Sequence, residues 1–246
     1  NQTAIVGGTG AQQVTYNEGG LGAINRTVQG KLQESVSVKD FGAVGDGVAD
    51  DTAAINAAFS AVRTGLKRQT LYFPFGTYLI SSKITVQNPN VWMDRDAEIK
   101  ASSGFSDNAM FEITNGNRAQ TWQGGRINGN SVSGIKGIIA GDFDYAFTNM
   151  LIHDCDIGVE TTSFSIYFIN VQFRDNTTNG LHCLDTAAPW HNGLVDRCFF
   201  SNNGINIFAE SSGSAITIQN SALQFVTGAY NIRMESTSST TQQAAL

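Results

Sequence analysis

The second half of the chain repeats one short pattern of apolar and polar residues, and this repeat limits the possible folds more than any other feature. The repeated segments are GGRINGN, NMLIHDC, NVQFRDN, DRCFFSN and NSALQFV, whose aligned apolar residues are Ile127, Ile152, Phe173, Phe199 and Leu223. Successive members are 25, 21, 26 and 24 residues apart. A loose period of this size predicts a solenoid, in which each coil buries its apolar row by stacking on the next. The leucine and asparagine spacing of leucine-rich repeats is missing, which favours coils of short strands.

A second apolar column supports the same register one strand further round each coil. Its members are Val159, Leu181, Ile207 and Ile232. Side chains of a strand alternate between its two faces, so an inward column predicts that the residue after each member lies on the outer surface. These outward residues are Glu160, His182, Phe208 and Arg233.

Short apolar runs also fill the region before the repeat, with turn residues at close intervals and no helix between them. This pattern is typical of an all-β architecture. The strands that it predicts are Leu71–Phe75, Thr77–Ile80, Ile84–Val86, Val91–Met93, Ala97–Lys100 and Met110–Ile113. Together with the repeat, these strands predict an all-β fold of the parallel β-helix type.

The segment VSVKDFGAVGDGVADDTAAINAAFSAV, residues 36–62, predicts a strand, a glycine-rich turn and a helix. Asp50 or Asp51 is placed to accept hydrogen bonds from the first free N–H groups of that helix. Four apolar residues at i, i+3, i+4 and i+7 give the helix one apolar face, which we expect to cap the first coil. They are Ile55, Ala58, Phe59 and Val62.

Part of this segment, KDFGAVGDGVADDTAAI, resembles the amino-terminal signature of the pectate-lyase-like right-handed parallel β-helix, and TLYFPFGTYLISSKITV resembles that family's first coil. The longer run NRTVQGKLQESVSVKDFGAVGDG, residues 25–47, resembles bacteriophage tailspike and tail-fibre proteins more specifically. The resemblance implies a capping helix, a homotrimer and attachment to other phage tail proteins through the amino-terminal leader. The resemblance covers residues 25 to about 91 and does not indicate a reaction.

Composition divides the chain into three parts. Residues 1–35 are rich in glycine and have little apolar period, so we expect an irregular leader, with one short helical turn over Thr27–Glu34. Residues 36–234 are expected to form the β-helix, with its capping helix near residues 51–64. Residues 235–246 are polar and offer no second cap, so we expect the natural protein to continue past Leu246 or neighbouring chains to cover this end.

Charge and composition exclude several classes of partner. The net charge of −6 argues against nucleic acid, which needs a basic face. No apolar run is long enough to span a bilayer, so no membrane insertion is expected. Cys155, Cys183 and Cys198 form no close pair, which favours buried free thiols over disulfides or a zinc site and suits assembly in the host cytoplasm.

The acidic residues around the capping helix do not have the spacing of a helix-loop-helix calcium site. Turn and capping roles account for Asp40, Asp46, Asp50 and Asp51. We therefore expect neither a bound metal nor a cofactor.

Outward carboxylates on stacked coils are candidates for polysaccharide cleavage. Glycoside hydrolysis needs two carboxyl groups at a set separation, and coils about 4.8 Å apart can supply it. The acidic candidates are Glu160, Asp185, Asp196, Glu210 and Glu235. We predict catalytic roles for Glu160, Asp185 and Glu210, with His182 as acid or base, and a substrate-binding role for Arg233.

The longest coil contains an excursion, CLDTAAPWHNGL, over residues 183–194. Loops longer than a repeat requires often carry function. We predict that Trp190 stacks on a sugar ring and that His191 also contacts substrate. The alternative is that Trp190 packs back on the coil or against a neighbouring chain.

The catalytic motifs of the family's hydrolases and lyases are absent from this sequence, so the resemblance assigns no reaction, and function does not follow from fold. Three hypotheses remain. The first is a virion-located tailspike or tail fibre that recognises bacterial capsular or O-antigen polysaccharide during host adsorption, with or without depolymerising it. The second is a non-catalytic virion connector rod. The third is a secreted bacterial polysaccharide lyase.

Overall fold

In the computed structural model the chain forms a parallel β-helix with three sheets. The structure describes residues 10–63, 69–87, 90–114, 120–141, 144–162, 165–184, 192–210, 216–224 and 230–235. Each coil adds one strand to each sheet in turn, and strands of successive coils pair in parallel. The predicted all-β solenoid is confirmed.

Short elements precede the solenoid. They are α1 (Gly10–Gln13), β1 (Thr15–Tyr16), β2 (Arg26–Thr27) and α2 (Val28–Leu32). Strands β1 and β2 pair antiparallel, so the described part of the leader contains some regular structure. The predicted helical turn is present as α2, where the Thr27 hydroxyl accepts a hydrogen bond from the Gly30 N–H at 2.9 Å.

The three sheets are numbered in the order in which the chain reaches them. Sheet 1 contains β3 (Ser35–Ser37), β5 (Thr70–Phe73), β8 (Asn90–Met93), β11 (Gln120–Gln123), β14 (Tyr145–Thr148), β17 (Ser165–Ile169), β20 (Asn192–Asp196) and β23 (Ile216–Gln219). Sheet 2 contains β4 (Asp46–Asp50), β6 (Thr77–Ile80), β9 (Glu98–Ala101), β12 (Arg126–Asn128), β15 (Leu151–His153), β18 (Gln172–Arg174), β21 (Phe199–Ser201) and β24 (Ala222–Leu223). Sheet 3 contains β7 (Ile84–Val86), β10 (Ala109–Ile113), β13 (Lys136–Ala140), β16 (Ile157–Thr161), β19 (Asn179–Cys183), β22 (Ile205–Glu210) and β25 (Tyr230–Glu235).

The predicted capping helix is α3 (Thr52–Arg63), which follows a 3₁₀ turn (Val38–Phe41) and β4. Its side-chain cap is Asp50, which accepts from the Thr52 N–H at 3.0 Å, whereas the Asp51 carboxylate turns back to accept from Val44 and Gly45 N–H groups. The apolar face is buried, and the Phe59 ring lies 6.2–6.5 Å from three rings of the solenoid interior. The helix therefore covers the first coil as predicted.

The corner between sheets 1 and 2 is a two-residue turn in most coils. Its first residue has a positive φ, which glycine and asparagine tolerate best. These residues are Gly124, Asn149, Asn170, Arg197 and Asn220. This backbone requirement explains why asparagine recurs at the start of the sequence repeats.

The structure corrects one position of the predicted repeat. Phe173 pairs with Phe200, and their buried rings stack with centroids 4.6 Å apart, whereas Phe199 pairs with Gln172 and is 38% exposed. Two adjacent phenylalanines gave the pattern two possible registers, and burial selects the second. The register of the second apolar column was predicted correctly, because Val159, Leu181, Ile207 and Ile232 are successive partners in sheet 3. The first three are buried, whereas Ile232, on the last described strand, is 38% exposed.

All three cysteines are buried free thiols, as predicted. Burial raises the pKa of Cys155 to about 12 and that of Cys198 to about 11, and it raises the pKa of Cys183 further. Such thiols are inert at neutral pH. Within the described ranges, no helix has the length and apolar character needed to cross a membrane.

Candidate functional site

A row of charged and aromatic side chains follows the outer face of sheet 3, and we call it the sheet 3 stripe. It consists of Lys136, Glu160, His182, Phe208, Glu210 and Arg233. Glu160, His182, Phe208 and Arg233 are consecutive register partners in β16, β19, β22 and β25. The predicted outward column is therefore present, and the structure brings four of the candidate site residues together: Glu160, His182, Glu210 and Arg233.

His182 lies between two carboxylates at the centre of the stripe. Its Nδ1 is 3.3 Å from Glu160 Oε2, and its Nε2 is 3.2 Å from Glu210 Oε1. The Nδ1 contact is poorly aligned for a hydrogen bond, so charge attraction dominates it. The imidazole also stacks on the Phe208 ring, with centroids 4.8 Å apart and planes 10° apart. These contacts fix the ring in one orientation.

The same contacts set the charges of the central pair. Burial lowers the pKa of His182, but the contacts of the imidazole with the negatively charged Glu160 and Glu210 outweigh that effect, so the pKa is raised. Burial raises the pKa of Glu160, but His182 and Lys136 outweigh it, so this pKa is lowered. Glu160 is consequently a carboxylate at neutral pH, and His182 is biased toward the imidazolium form.

The outer members of the stripe are paired in the same manner. Lys136 Nζ bonds Glu160 Oε1, on the side away from His182. Arg233 lies over the Phe208 ring with its Cζ 5.1 Å from the centroid, and it pairs with Glu235. Cations and anions therefore alternate, and each charge already has an opposite partner.

This arrangement favours some chemical roles over others. A carboxylate with a lowered pKa is a poor proton donor, so the geometry does not favour Glu160 as a general acid. An imidazolium is the better donor, which makes His182 the stronger candidate. The two carboxylates contact opposite nitrogens of one imidazole, so His182 lies between them.

The longest connection from sheet 3 to sheet 1 begins beside His182. It runs from residue 184 to residue 191, while the connections after β13, β16 and β22 have four, three and five residues. Asp185, Trp190 and His191 lie outside the described residues, so their predicted roles stay predictions. What the structure adds is that the excursion leaves the end of β19 two residues after His182.

Two other acidic candidates lie away from the centre of the stripe. Asp196 is at the end of β20 in sheet 1, where Asn220 donates a hydrogen bond to it at 3.0 Å. Glu235 is at the end of β25 and pairs with Arg233. Neither contacts Glu160 or His182 among the described contacts.

A second histidine on sheet 2 has similar surroundings. His153 Nδ1 is 2.7 Å from Asp154 Oδ2, and its Nε2 is 3.6 Å from Glu98 Oε1. Burial lowers its pKa, but the two carboxylates outweigh that effect and raise it. Because it lies on a different sheet from the stripe, His153 provides a matched comparison for His182.

The sequence analysis missed a groove at the corner of sheets 1 and 2, which we call the corner groove. It encloses about 700 Å³. Its lining is Trp92, Met93, Arg95, Gln123, Gly124, Gly125, Arg126, Asn149, Met150, Leu151, Asn170, Gln172 and Arg174. The available sequence signal was the double glycine, which stands where the following coils carry asparagine.

Comparisons with known proteins agree with the parallel β-helix fold. Residues 35–132 match the family described as "Rhamnogalacturonase A/epimerase, pectate lyase-like". Two curated relatives match short segments: plasmin and fibronectin-binding protein A of Streptococcus pneumoniae, 40% identical over 65 residues, and mannuronan C5-epimerase AlgE1 of Azotobacter vinelandii, 56% identical over 45 residues. These segments are 26% and 18% of this chain, but only 9% and 3% of the relatives.

Solved phage proteins share the fold over most of this chain. ORF18 of Geobacillus virus E2 has a TM-score of 0.65 and 22% identity, covering 78% of this chain and 42% of that one. Tailspike protein 3 of bacteriophage CBA120 has a TM-score of 0.61 and 18% identity, covering 97% and 40%. The phiAB6 tailspike, solved with oligosaccharides of Acinetobacter baumannii surface polysaccharide, has a TM-score of 0.60 and 16% identity, covering 78% and 38%.

The chain therefore has a parallel β-helix fold, which these phage proteins share, and residues 35–132 match the pectate-lyase-like family model. The predicted resemblance is confirmed for the fold. The chain spans less than half the length of these structures.

Proposed function

We propose that this chain is part of a phage tailspike that recognises bacterial surface polysaccharide, with the sheet 3 stripe as the sugar-binding surface. The observation that carries the proposal is His182, held by two carboxylates and an aromatic ring on the outside of a rigid sheet. Shared fold with phage proteins, one of them solved with surface oligosaccharides, supports the same assignment.

The stripe suits a sugar ligand because it combines fixed polar groups with an aromatic surface. Glu210 exposes 32% of its side chain and Glu160 exposes 10%, so Glu210 is the carboxylate that a sugar hydroxyl reaches first. Since His182 and Phe208 hold each other in place, little side-chain entropy is lost on binding.

Depolymerisation is the second candidate, and the raised pKa of His182 favours it specifically. In hydrolysis, the imidazolium of His182 donates a proton to the glycosidic oxygen as the bond from that oxygen to the anomeric carbon breaks, and Glu210 takes a proton from the water that forms the new bond to the same carbon. Ionised Glu160 keeps the imidazole charged until that transfer. Size analysis of the polysaccharide tests this step. Shortening with a new unsaturated sugar indicates elimination, shortening without one indicates hydrolysis, and an unchanged length leaves recognition alone.

Assembly and location follow from the tailspike assignment. We expect a homotrimer that joins other tail proteins through the leader and is located in the virion. Sedimentation of the native full-length protein checks this, since a stable monomer contradicts the trimer. Immunolabelling of purified phage checks the tail location.

The test of recognition is binding of the 246-residue chain to purified capsular and O-antigen polysaccharides. His182→Gln is expected to weaken binding of the recognised polysaccharide about tenfold or more, because a neutral amide loses the charge-assisted contacts. His153→Gln removes an equivalent buried imidazole from sheet 2 and is expected to leave binding unchanged. Absence of binding to every polysaccharide, or equal loss in both variants, overturns the assignment of the stripe.

A further inference from the structure

The corner groove differs from the stripe in shape. It crosses four successive coils, from Trp92 at one end to Arg174 at the other. Coils are about 4.8 Å apart, so three intervals span about 14 Å along the axis. This length fits several units of an extended chain, whereas a single small molecule would fill only part of it.

The backbone produces this concave shape. Gly124 and Gly125 form the corner turn of β11 and β12 with φ of +82° and +70°. A Cβ on Gly124 would lie 2.3 Å from the Met93 carbonyl oxygen, so the turn contains no side chain where the next two coils have Asn149 and Asn170. The preceding coil instead has a longer turn, residues 94–97, which carries the exposed Arg95 at the end of the groove.

The lining combines cations, amides and one exposed aromatic ring. The groove residues include three arginines and no carboxylate, in a chain of net charge −6. Arg126 pairs with Asp96 at 2.6 Å, but the side chains of Arg95 and Arg174 have no hydrogen bond or ion pair with the described residues. Trp92 is 53% exposed, and Tyr72 supports it from behind with ring centroids 5.2 Å apart.

From this juxtaposition we infer that the corner groove is a second glycan site, specific for an acidic polysaccharide chain. Arg95 and Arg174 bind carboxylates on the sugars, because a guanidinium forms paired hydrogen bonds with a carboxylate. Trp92 supplies a flat apolar surface for one sugar ring. The amides of Gln123, Asn149 and Gln172 serve the sugar hydroxyls.

The alternative occupant is a second copy of this chain. Protein interfaces have apolar, aromatic centres from which charged residues are depleted. In the groove the floor is apolar only at Met93, Met150 and Leu151, while polar and charged side chains line the rest. A hydrated acidic chain matches this composition better.

The experiment compares two probes that differ at one group. The hexamer of β-1,4-mannuronate and β-1,4-mannohexaose have the same linkage and ring configuration, but only the first has a carboxylate on each sugar. The 246-residue chain is titrated with both by calorimetry at low and high salt. We expect measurable binding of the mannuronate hexamer, weakened by salt, and at least tenfold weaker binding of mannohexaose.

Variants locate the site. The double variant Arg95→Gln with Arg174→Gln is expected to weaken mannuronate binding about tenfold or more. Trp92→Ala is expected to weaken the binding of both probes. The control is Arg197→Gln. Arg197 lies at the same corner on the coil after Asn170 and is not part of the groove lining, so this variant is expected to bind normally. His153→Gln, on sheet 2 and outside both the groove lining and the stripe, is also expected to bind normally.

Three binding results and one result on oligomer formation overturn the inference. The binding results are no mannuronate binding by the wild-type chain, equal affinity for both hexamers, and affinity that the arginine variants do not change. Oligomer formation that shields Trp92 from a soluble fluorescence quencher also overturns it, and indicates that a second copy covers the groove.

Discussion

The sheet 3 stripe and the corner groove lie on one scaffold, yet they handle charge in opposite ways. In the stripe, Lys136, Glu160, His182 and Glu210 alternate in sign and touch one another. In the groove, Arg95 and Arg174 project without an opposite charge among the described residues. The stripe is therefore organised before any ligand arrives, whereas the groove has cationic groups that a ligand can satisfy.

This difference follows from register. Side chains of sheet 3 neighbours are directly opposite each other across about 4.8 Å, so a charged column finds its partners on the next coils. At the corner, Asn170 donates a hydrogen bond to Asn149 Oδ1 at 2.8 Å, but Gly124 and Gly125 of the preceding coil have no side chain, so space is left beside them. The stripe therefore follows from strand register, and the groove follows from the two glycines.

The largest effect is expected at the groove floor. Gly124→Ala puts a Cβ against the Met93 carbonyl at a positive φ, and should lower the free energy of unfolding by about 2–4 kcal/mol. Gly134→Ala is the control, because Gly134 also has a positive φ but nothing within 4 Å, and should cost about 1 kcal/mol. Urea unfolding measures both, and equal losses would show that the groove floor is not tightly packed.

In the stripe, His182→Gln is expected to lower the free energy of unfolding by about 1–2 kcal/mol near pH 6, because Glu160 and Glu210 lose their shared cation. A double-mutant cycle with Glu160→Gln sharpens the comparison. If the two groups act as a network, the double variant loses less than the sum of the single losses. Strict additivity would mean that their contact contributes no coupling energy.

The stripe also predicts a pH dependence with a definite sign. The pKa of His182 is raised in the folded state, so its stabilising contribution is complete below the unfolded pKa of about 6.5 and is lost as pH rises through the folded pKa. The stability difference between wild type and His182→Gln should therefore shrink as pH increases above about 6.5. Unfolding curves across this range check it, and a growing difference would show that the folded histidine is neutral.

The smallest effect on stability is expected for an arginine of the groove. Arg174→Gln should change the free energy of unfolding by less than about 0.5 kcal/mol, because Arg174 is exposed and pairs with no described residue. The same substitution is expected to weaken binding of the acidic probe. A clear loss of stability would indicate that Arg174 has a structural partner.

Sequence reasoning located the stripe better than it located the groove. Period and alternation were sufficient to place Glu160, His182, Phe208 and Arg233 in one outward column, because both are local properties of a strand. That Glu210 reaches His182 was not predictable, since it depends on a diagonal contact between coils. Phe199 was misplaced because two adjacent phenylalanines fit the pattern equally well.

The groove escaped prediction for a geometric reason. Trp92, Arg126 and Arg174 come from separate coils, and their proximity depends on how the chain turns between sheets 1 and 2. The corner asparagines Asn149 and Asn170 pair with each other, but that pairing does not indicate where Trp92 and the arginines lie. The double glycine marked a close backbone approach, but it did not indicate which side chains would surround the resulting space.

The central claim is that the chain recognises bacterial surface polysaccharide through the stripe, and amide hydrogen exchange tests it most directly. The exchange rates of the 246-residue chain are measured alone and with each member of a panel of purified capsular and O-antigen polysaccharides. The account predicts that at least one polysaccharide slows exchange in β19 and β22, the strands that carry His182, Phe208 and Glu210. Unchanged exchange in these strands with every polysaccharide would contradict it.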